Sequence, residues 1–201
     1  TGVQTCALPI SVRLAGLLAL RQLASLSDEA MVNAQRTRLL DASAPTPSVE
    51  TLLHAFLPAK FIDHSHADAI LSIVDQPDAE ALCRELFGQR LALVPYVMPG
   101  FALAKLAATI AEANPAAEGL LLLQHGLFTW GSTARESYER HVDAVARARA
   151  FVRANLRPVG KRGNSLYGRL MLAHNPATIC CRSNSIRSCD AGAKPKYRGR
   201  K

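Results

Sequence analysis

The sequence lacks the cysteine patterns that define disulfide frameworks and zinc ribbons. It has five cysteines, an odd number, and no two of them are spaced as CxxC. Three of the five lie between residues 180 and 189. These features argue against a disulfide-rich secreted domain and against a cysteine-ligated structural zinc site. We therefore expect a reducing compartment and a cytoplasmic protein.

Long apolar runs and nucleic-acid-binding motifs are also missing. The apolar stretch LAGLLAL lies between Arg13 and Arg21 and is too short for a membrane span or a signal peptide. The formal net charge is +8, but residues 161–201 hold ten of the 24 Lys and Arg residues and one acidic residue. Residues 1–160 are therefore close to neutral, and no DNA- or RNA-binding motif accompanies the basic tail. We expect neither a membrane nor a nucleic acid as partner.

The chain divides into three regions of different character. Residues 1–10, TGVQTCALPI, have no helical or strand periodicity and resemble a translated sequencing adapter, so we expect a non-native segment. Residues 11–157 form a coherent α/β sequence without an internal repeat. Residues 158–201 lose apolar periodicity and gain Gly, Asn, Ser and Arg, which predicts a basic tail that is disordered or artefactual.

Apolar strand patterns alternate with helical patterns between residues 11 and 157. The strand candidates are KFIDHSH, RLALVPY and GLLLLQHG, and the last is a continuous apolar run typical of a strand buried on both faces. Helical patterns occupy SVRLAGLLALRQLASL, SDEAMVNAQRTRLL, DAEALCRELFG and FALAKLAATIAEA, and a capping box, TARE, opens a long last helix. We predict an α/β domain with a mixed central sheet and helices on both faces.

The segment HSH places His64 and His66 two residues apart. In an extended backbone such residues point the same way, with α-carbons about 6.6 Å apart, so both imidazoles could reach one metal ion. The same spacing also occurs in ordinary polar loops, and HxH alone does not decide between the two interpretations.

Two further residues favour a site. His125 ends the apolar run LLLLQHG, and ligands of mixed α/β sheets bind at strand ends. Three histidines would leave one zinc position open, as in catalytic rather than structural sites. Glu50, at a loop-to-helix transition, could serve as a general base or could only stabilise the helix dipole. His54 is expected in helix packing or behind the site, and His141 at the surface or in packing.

The phrases PSVETLLHAFLP, HSHADA, VPYVMPGFALAK and HGLFTWGSTARESYE, in this order, resemble the class II aldolase/adducin family. The resemblance covers about residues 11–155. It is strongest to the aldolase part of bifunctional proteins that join a rhamnulose-phosphate aldolase to a short-chain dehydrogenase. It implies a three-layer α/β/α fold, here incomplete at the N-terminus. It also implies a homo-oligomer, commonly a tetramer, and a small phosphorylated sugar as substrate.

The resemblance also assigns roles to individual residues. His64, His66 and His125 would bind Zn²⁺ or another divalent metal ion, Glu50 would be the catalytic acid/base, and Tyr96 would shape the site. The implied reaction is the cleavage of a ketose 1-phosphate to dihydroxyacetone phosphate and an aldehyde. An epimerase or a dehydratase using the same metal site, and a non-catalytic adducin-like or truncated module, are the alternatives.

Two features of the family are not found in this sequence. No glycine-rich loop of the kind that binds the substrate phosphate precedes Glu50, and no GxxxGxG nucleotide loop follows residue 155. We therefore expect the chain to be a fragment of a longer gene product.

Overall fold

A computed structural model describes residues 10–155 of the chain. The expectations for residues 1–9 and 158–201 lie outside these described residues. The helices are α1 (Leu14–Leu18), α2 (Asp28–Arg36), α3 (Thr51–Phe56), α4 (Asp68–Val74), α5 (Ala79–Phe87), α6 (Phe101–Ala113) and α7 (Ala134–Asn155). The strands are β1 (Phe61–Ser65), β2 (Leu91–Val94), β3 (Gly119–Leu122) and β4 (Gly126–Gly131).

The four strands form one mixed sheet in the order β1-β4-β3-β2. Strand β4 pairs antiparallel with both β1 and β3, whereas β2 pairs parallel with β3. The β1–β4 register sets His64 opposite Phe128 and Ser65 opposite Leu127. The mixed sheet predicted from the sequence is thus confirmed.

Helices cover both faces of the sheet, because successive strand residues point to opposite sides. Leu120 and Leu122 of β3 belong to a core shared with α1, α2, α3 and α6. Leu121, between them, belongs to a second core formed with α4, α5 and α7. All three are buried, and burial of each such side chain stabilises the fold by about 1.5–3 kcal/mol. The three-layer α/β/α architecture is confirmed.

The predicted helix over residues 11–26 is shorter than expected. Helix α1 ends at Leu18 and a 3₁₀ turn, Ala19–Gln22, follows it. The start of the segment is drawn out of the helix because Val12 forms an isolated β-bridge with Leu39, and the backbone N–H of Arg13 donates to the carbonyl of Arg38. A tertiary pairing therefore overrides the local helical pattern.

Two helix ends follow their sequence signals. Gly88 ends α5 with a φ of +58°, a conformation that side chains with a Cβ rarely adopt. At the start of α7, the hydroxyl of Thr133 accepts from the N–H of Glu136 at 3.1 Å. The carboxylate of Glu136 accepts from the N–H of Ser132, one residue earlier than the standard capping box requires.

Within residues 10–155, none of the helices is both long and apolar enough to cross a membrane.

Candidate metal centre

The first two histidines of the site lie at the end of β1. His64 is buried in the strand, and its ring stacks on Phe128 of β4 with ring centroids 3.9 Å apart and planes inclined by 14°. His66 follows the last strand residue, and 49% of its side chain is exposed. Since residues two apart share a side of an extended chain, both rings reach the same end of the sheet. Their Nε2 atoms lie 3.0 Å apart.

Hydrogen bonding fixes which nitrogen of His64 carries its proton. Its Nδ1 lies 2.9 Å from the carbonyl oxygen of Leu127, and a carbonyl can only accept. Nδ1 therefore carries the hydrogen, and Nε2 of the neutral ring presents a lone pair. Burial lowers the pKa of His64, against the opposing influence of Glu50, so the ring is neutral at pH 7.

Glu50 brings a carboxylate to the three imidazoles. It is the N-cap residue of α3, yet its side chain makes no capping hydrogen bond and points to the histidines instead. Oε1 lies 3.2 Å from Nε2 of His125, 3.3 Å from Nε2 of His64 and 3.4 Å from Nε2 of His66. Burial raises the pKa of Glu50, but its contacts with the three imidazoles outweigh burial and hold the pKa far below its usual range. Glu50 is therefore ionised at neutral pH.

The third histidine lies in the turn between β3 and β4 rather than at the strand end itself. Strand β3 ends at Leu122, whose carbonyl accepts from the N–H of His125 at 3.1 Å. Gln124 just before it has a φ of +56°, a left-handed conformation that is uncommon without glycine. Its N–H donates to the carbonyl of Val74, which anchors the turn on α4. This tight turn directs the side chain of His125 back over the sheet.

Gly126 leaves room for the imidazoles. A Cβ built on it would lie 2.6 Å from the carbonyl oxygen of Ser65, 2.8 Å from Cδ2 of His66 and 3.4 Å from Cε1 of His64. The requirement is steric, because Gly126 is not among the glycines with positive φ. Any side chain here would push against the strand that carries two of the four site residues.

The four side chains fit a metal ion. One ligand atom from each of Glu50, His64, His66 and His125 lies within 4.8 Å of the other three. Bonds of 2.0–2.1 Å in a tetrahedral zinc site separate the ligand atoms by about 3.3 Å, close to the spacings observed around Oε1. The Nε2 lone pair of His64 also faces a carboxylate oxygen of Glu50. Both atoms are acceptors, and a cation between them could bind to both. Imidazole and carboxylate donors suit zinc and other divalent first-row metals.

The remaining histidines and Tyr96 surround this cluster differently. His54 packs with its ring centroid 5.4 Å from that of Phe128 and 6.4 Å from that of His64, in agreement with a place behind the site. Tyr96 is half exposed in the loop after β2. It lines an open cavity of about 420 Å³ with Leu123 and Gln124 rather than joining the four-residue cluster.

Sequence reasoning missed one buried polar group next to the site. His141 of α7 is 1% exposed and contacts Ser65 of β1 and Thr129 of β4. Of the two positions expected for His141, surface or packing, the structure shows packing, with hydrogen-bond partners that were not predicted. A signal was present, since His141 lies one helical turn after Ser137 and shares the buried face of α7 with Ala144, Val145 and Ala148.

Comparisons with known proteins agree with this fold. The family model described as class II aldolase and adducin N-terminal domain matches residues 19–152. The uncharacterized oxidoreductase YuxG of Bacillus subtilis is 42% identical over 125 residues, which cover 62% of this chain and 18% of that protein. A methylthioribulose-1-phosphate dehydratase of Yersinia pestis is 34% identical over 122 residues, which cover 51% of this chain and 54% of that protein.

A solved structure shows the same architecture. The N-terminal class II aldolase domain of a conserved protein from Thermoplasma acidophilum is 41% identical, with a TM-score of 0.65, over 70% of this chain and 65% of that one. The chain spans less than two thirds of the length of each of these three proteins. Because the family model covers most of the chain, including all four site residues, the chain belongs to the class II aldolase and adducin N-terminal domain family.

Proposed function

We propose that the chain carries the catalytic centre of a metal-dependent lyase that cleaves a ketose 1-phosphate by a reversible aldol reaction. The family includes lyases such as aldolases and dehydratases. The observation that carries the proposal is the convergence of three imidazole nitrogens and one carboxylate oxygen at spacings suited to a divalent metal ion. The proposed substrate is rhamnulose 1-phosphate, after the sequence resemblance described above. Its products are dihydroxyacetone phosphate and lactaldehyde.

His64, His66 and His125 would hold a divalent metal ion, zinc in this proposal, which would supply Lewis acidity for the reaction. Glu50 exchanges the proton at C3. In the cleavage direction the carboxylate of Glu50 takes the proton of the C4 hydroxyl, the C3–C4 bond breaks as the C4 carbonyl forms, and Glu50 returns that proton to the electron pair left on C3. In the synthetic direction the carboxylate removes that proton.

The surroundings of Glu50 suit this exchange. The side chain is 14% exposed and lies against all three Nε2 atoms. Contact with the neighbouring imidazoles lowers its pKa, whereas burial raises it.

Dehydration of a ketose 1-phosphate is the second candidate, favoured by the identity of 34% to the methylthioribulose-1-phosphate dehydratase. Here Glu50 would remove the proton from C3, a C3–C4 double bond would form, and the C4 hydroxyl would leave as water. The metal ligands and the base are the same in both reactions. The fate of the C3–C4 bond therefore distinguishes them.

The two reactions are separated by their products. Purified protein loaded with zinc is incubated with rhamnulose 1-phosphate and, separately, with methylthioribulose 1-phosphate. Cleavage yields dihydroxyacetone phosphate, which is detected by the coupled oxidation of NADH with glycerol-3-phosphate dehydrogenase. Dehydration yields a phosphorylated product that is lighter by one water molecule, which is detected by mass spectrometry.

Glu50→Gln, which keeps the shape of the side chain, is the matched control. We expect dihydroxyacetone phosphate from the wild type and almost none from Glu50→Gln. A dehydrated product without cleavage would move the second candidate to first place. Equal rates in the wild type and Glu50→Gln would contradict the role of Glu50 in either reaction. The homo-oligomeric state and the cytoplasmic location stay predictions.

A further inference from the structure

Ser65 lies between His64 and His66, and its side chain faces the opposite side of the sheet. Its Oγ lies 2.6 Å from Nε2 of His141, and both residues are buried. Helix α7, which carries His141, packs on β1 and β4. The strand end that supplies two site residues is thus tied to a helix on the far face of the sheet.

The hydrogens in this contact have one direction. The hydroxyl of Thr129 donates to the carbonyl of Ser137 at 3.1 Å, since that oxygen can only accept. Thr129 Oγ1 must then accept from Nδ1–H of His141, at 2.9 Å. Burial lowers the pKa of His141 to about 4, so the ring is neutral at pH 7 and its Nε2 accepts from the hydroxyl of Ser65. Both ring nitrogens of His141 are thereby satisfied.

The end of β1 lies at the edge of the described sheet. In the part of the chain that the structure describes, β1 is an edge strand with β4 as its one neighbour. Ser65 is its last residue, and His66 lies beyond the ladder with half of its side chain exposed. Metal ligands must keep their distances within about 0.2 Å, so a small shift of Ser65 would disturb both neighbouring imidazoles.

We propose that His141 is a positioning residue of the metal centre, which through Ser65 holds the end of β1 so that His64 and His66 meet Glu50 and His125. This role presupposes the proposed metal site. It requires no contact between His141 and the metal or the substrate. The essential contact is the bond from Ser65 to Nε2 of His141, and the bond to Thr129 serves to orient the ring.

Two substitutions separate this role from packing. In His141→Gln the amide oxygen can take the place of Nε2 and accept from Ser65. In His141→Asn the amide nitrogen takes the place of Nδ1 and donates to Thr129, while Ser65 loses its acceptor. Cobalt(II) is the probe, and its visible absorption and dissociation constant are measured for each protein. We expect about tenfold weaker cobalt binding and an altered spectrum for His141→Asn, and near-wild-type values for His141→Gln.

Ser65→Ala should weaken cobalt binding as His141→Asn does, and the double variant should lose little more, because both changes break one contact. Ser137→Ala is the control for stability: its hydroxyl donates to the carbonyl of Thr129 at 3.3 Å, away from Ser65. It should lower the unfolding free energy and leave cobalt binding unchanged. Equal cobalt affinity in His141→Asn and the wild type, or equal losses in His141→Asn and His141→Gln, would overturn the positioning role.

Failure of the wild type to bind cobalt would instead overturn the proposed function. The hold of His141 on the end of β1 is then tested separately, by crystal structures of the metal-free variants. A displaced β1 end in His141→Asn, with His64 and His66 moved, and an unmoved one in His141→Gln would support it. An unmoved β1 end in both variants would overturn it.

Discussion

Gly126→Ala tests the close packing of the site with the smallest change the chain allows. The added methyl carbon would lie 2.6 Å from the carbonyl oxygen of Ser65, whereas ordinary contact begins at 3.4 Å. Strand β1 would therefore have to move by ~0.8 Å at this point, about four times the tolerance of a metal–ligand distance. We expect the variant to bind zinc more weakly than the wild type.

The effects on folding and on the metal are measured separately. Overpacking of this kind costs about 1–3 kcal/mol, which urea unfolding of the metal-free protein can measure. Zinc affinity is measured by competition with a chromophoric chelator. We expect a folded Gly126→Ala protein whose zinc dissociation constant rises by at least about tenfold, as in variants that disturb ligand orientation.

Gly88→Ala is the matched control. Gly88 has a φ of +58° and no atoms within 4 Å of a built Cβ, so a methyl group there strains the backbone without meeting a neighbour. The strain costs about 1–3 kcal/mol, similar to the loss at Gly126, but lies at the end of α5. Unchanged zinc binding in Gly126→Ala, or the same weakening in Gly88→Ala, would refute the steric account of the site.

Three further predictions concern single groups. Glu50→Gln should lower the rate of substrate turnover by about 10²–10⁴-fold, measured as kcat with zinc-loaded enzyme, and a smaller loss would argue against an acid/base role. The unfolding free energy should fall as the pH drops from 6.5 towards about 4, by at most roughly 3 kcal/mol. The reason is that His141 binds a proton in the unfolded chain, whereas burial keeps it neutral in the folded protein. His141→Gln should reduce the dependence of the unfolding free energy on pH, measured by urea titrations at several pH values. An unchanged pH dependence would contradict this role of His141. Thr133→Ala removes a helix cap of α7 and should cost about 1 kcal/mol; no loss on urea unfolding would show that the cap is dispensable.

Local sequence patterns were sufficient to predict those helices and strands whose apolar periodicity and end signals lie within one segment of the chain. The strand at KFIDHSH, the helix ended by Gly88 and the helix begun at the Thr133 cap all form where they were predicted. Strand β4, GLFTWG, was not predicted. Its six residues carry no clear alternation, and it is a strand because it bonds to β1 on one side and β3 on the other. A central strand of this kind is defined by its neighbours rather than by its own sequence.

The sequence predicted which residues would form the candidate site, but it predicted their positions on the strands and turns less well. His64, His66, His125 and Glu50 were named from spacing, strand ends and family resemblance, and the structure brings these four together. His125 lies three residues beyond the end of β3, since the left-handed Gln124 turns the chain before it. The pattern of apolar residues does not predict that turn.

His141 shows the limit of local reasoning most clearly. Its partner Ser65 is 76 positions away in the sequence. A single histidine on a helix and a single serine on a strand give no local sign that they meet. Only the packing of α7 on the sheet brings them within hydrogen-bonding distance.

The most direct test of the metal centre is the zinc content of the protein at equilibrium. Wild type, His125→Ala and the histidine control His141→Gln are dialysed against buffered free zinc and analysed by mass spectrometry of the metal. We expect one zinc ion per chain in the wild type and in His141→Gln, and little zinc in His125→Ala at the same free concentration. A wild type without bound zinc, or a His125→Ala variant that retains it in full, would contradict the assignment of Glu50, His64, His66 and His125 as a metal centre.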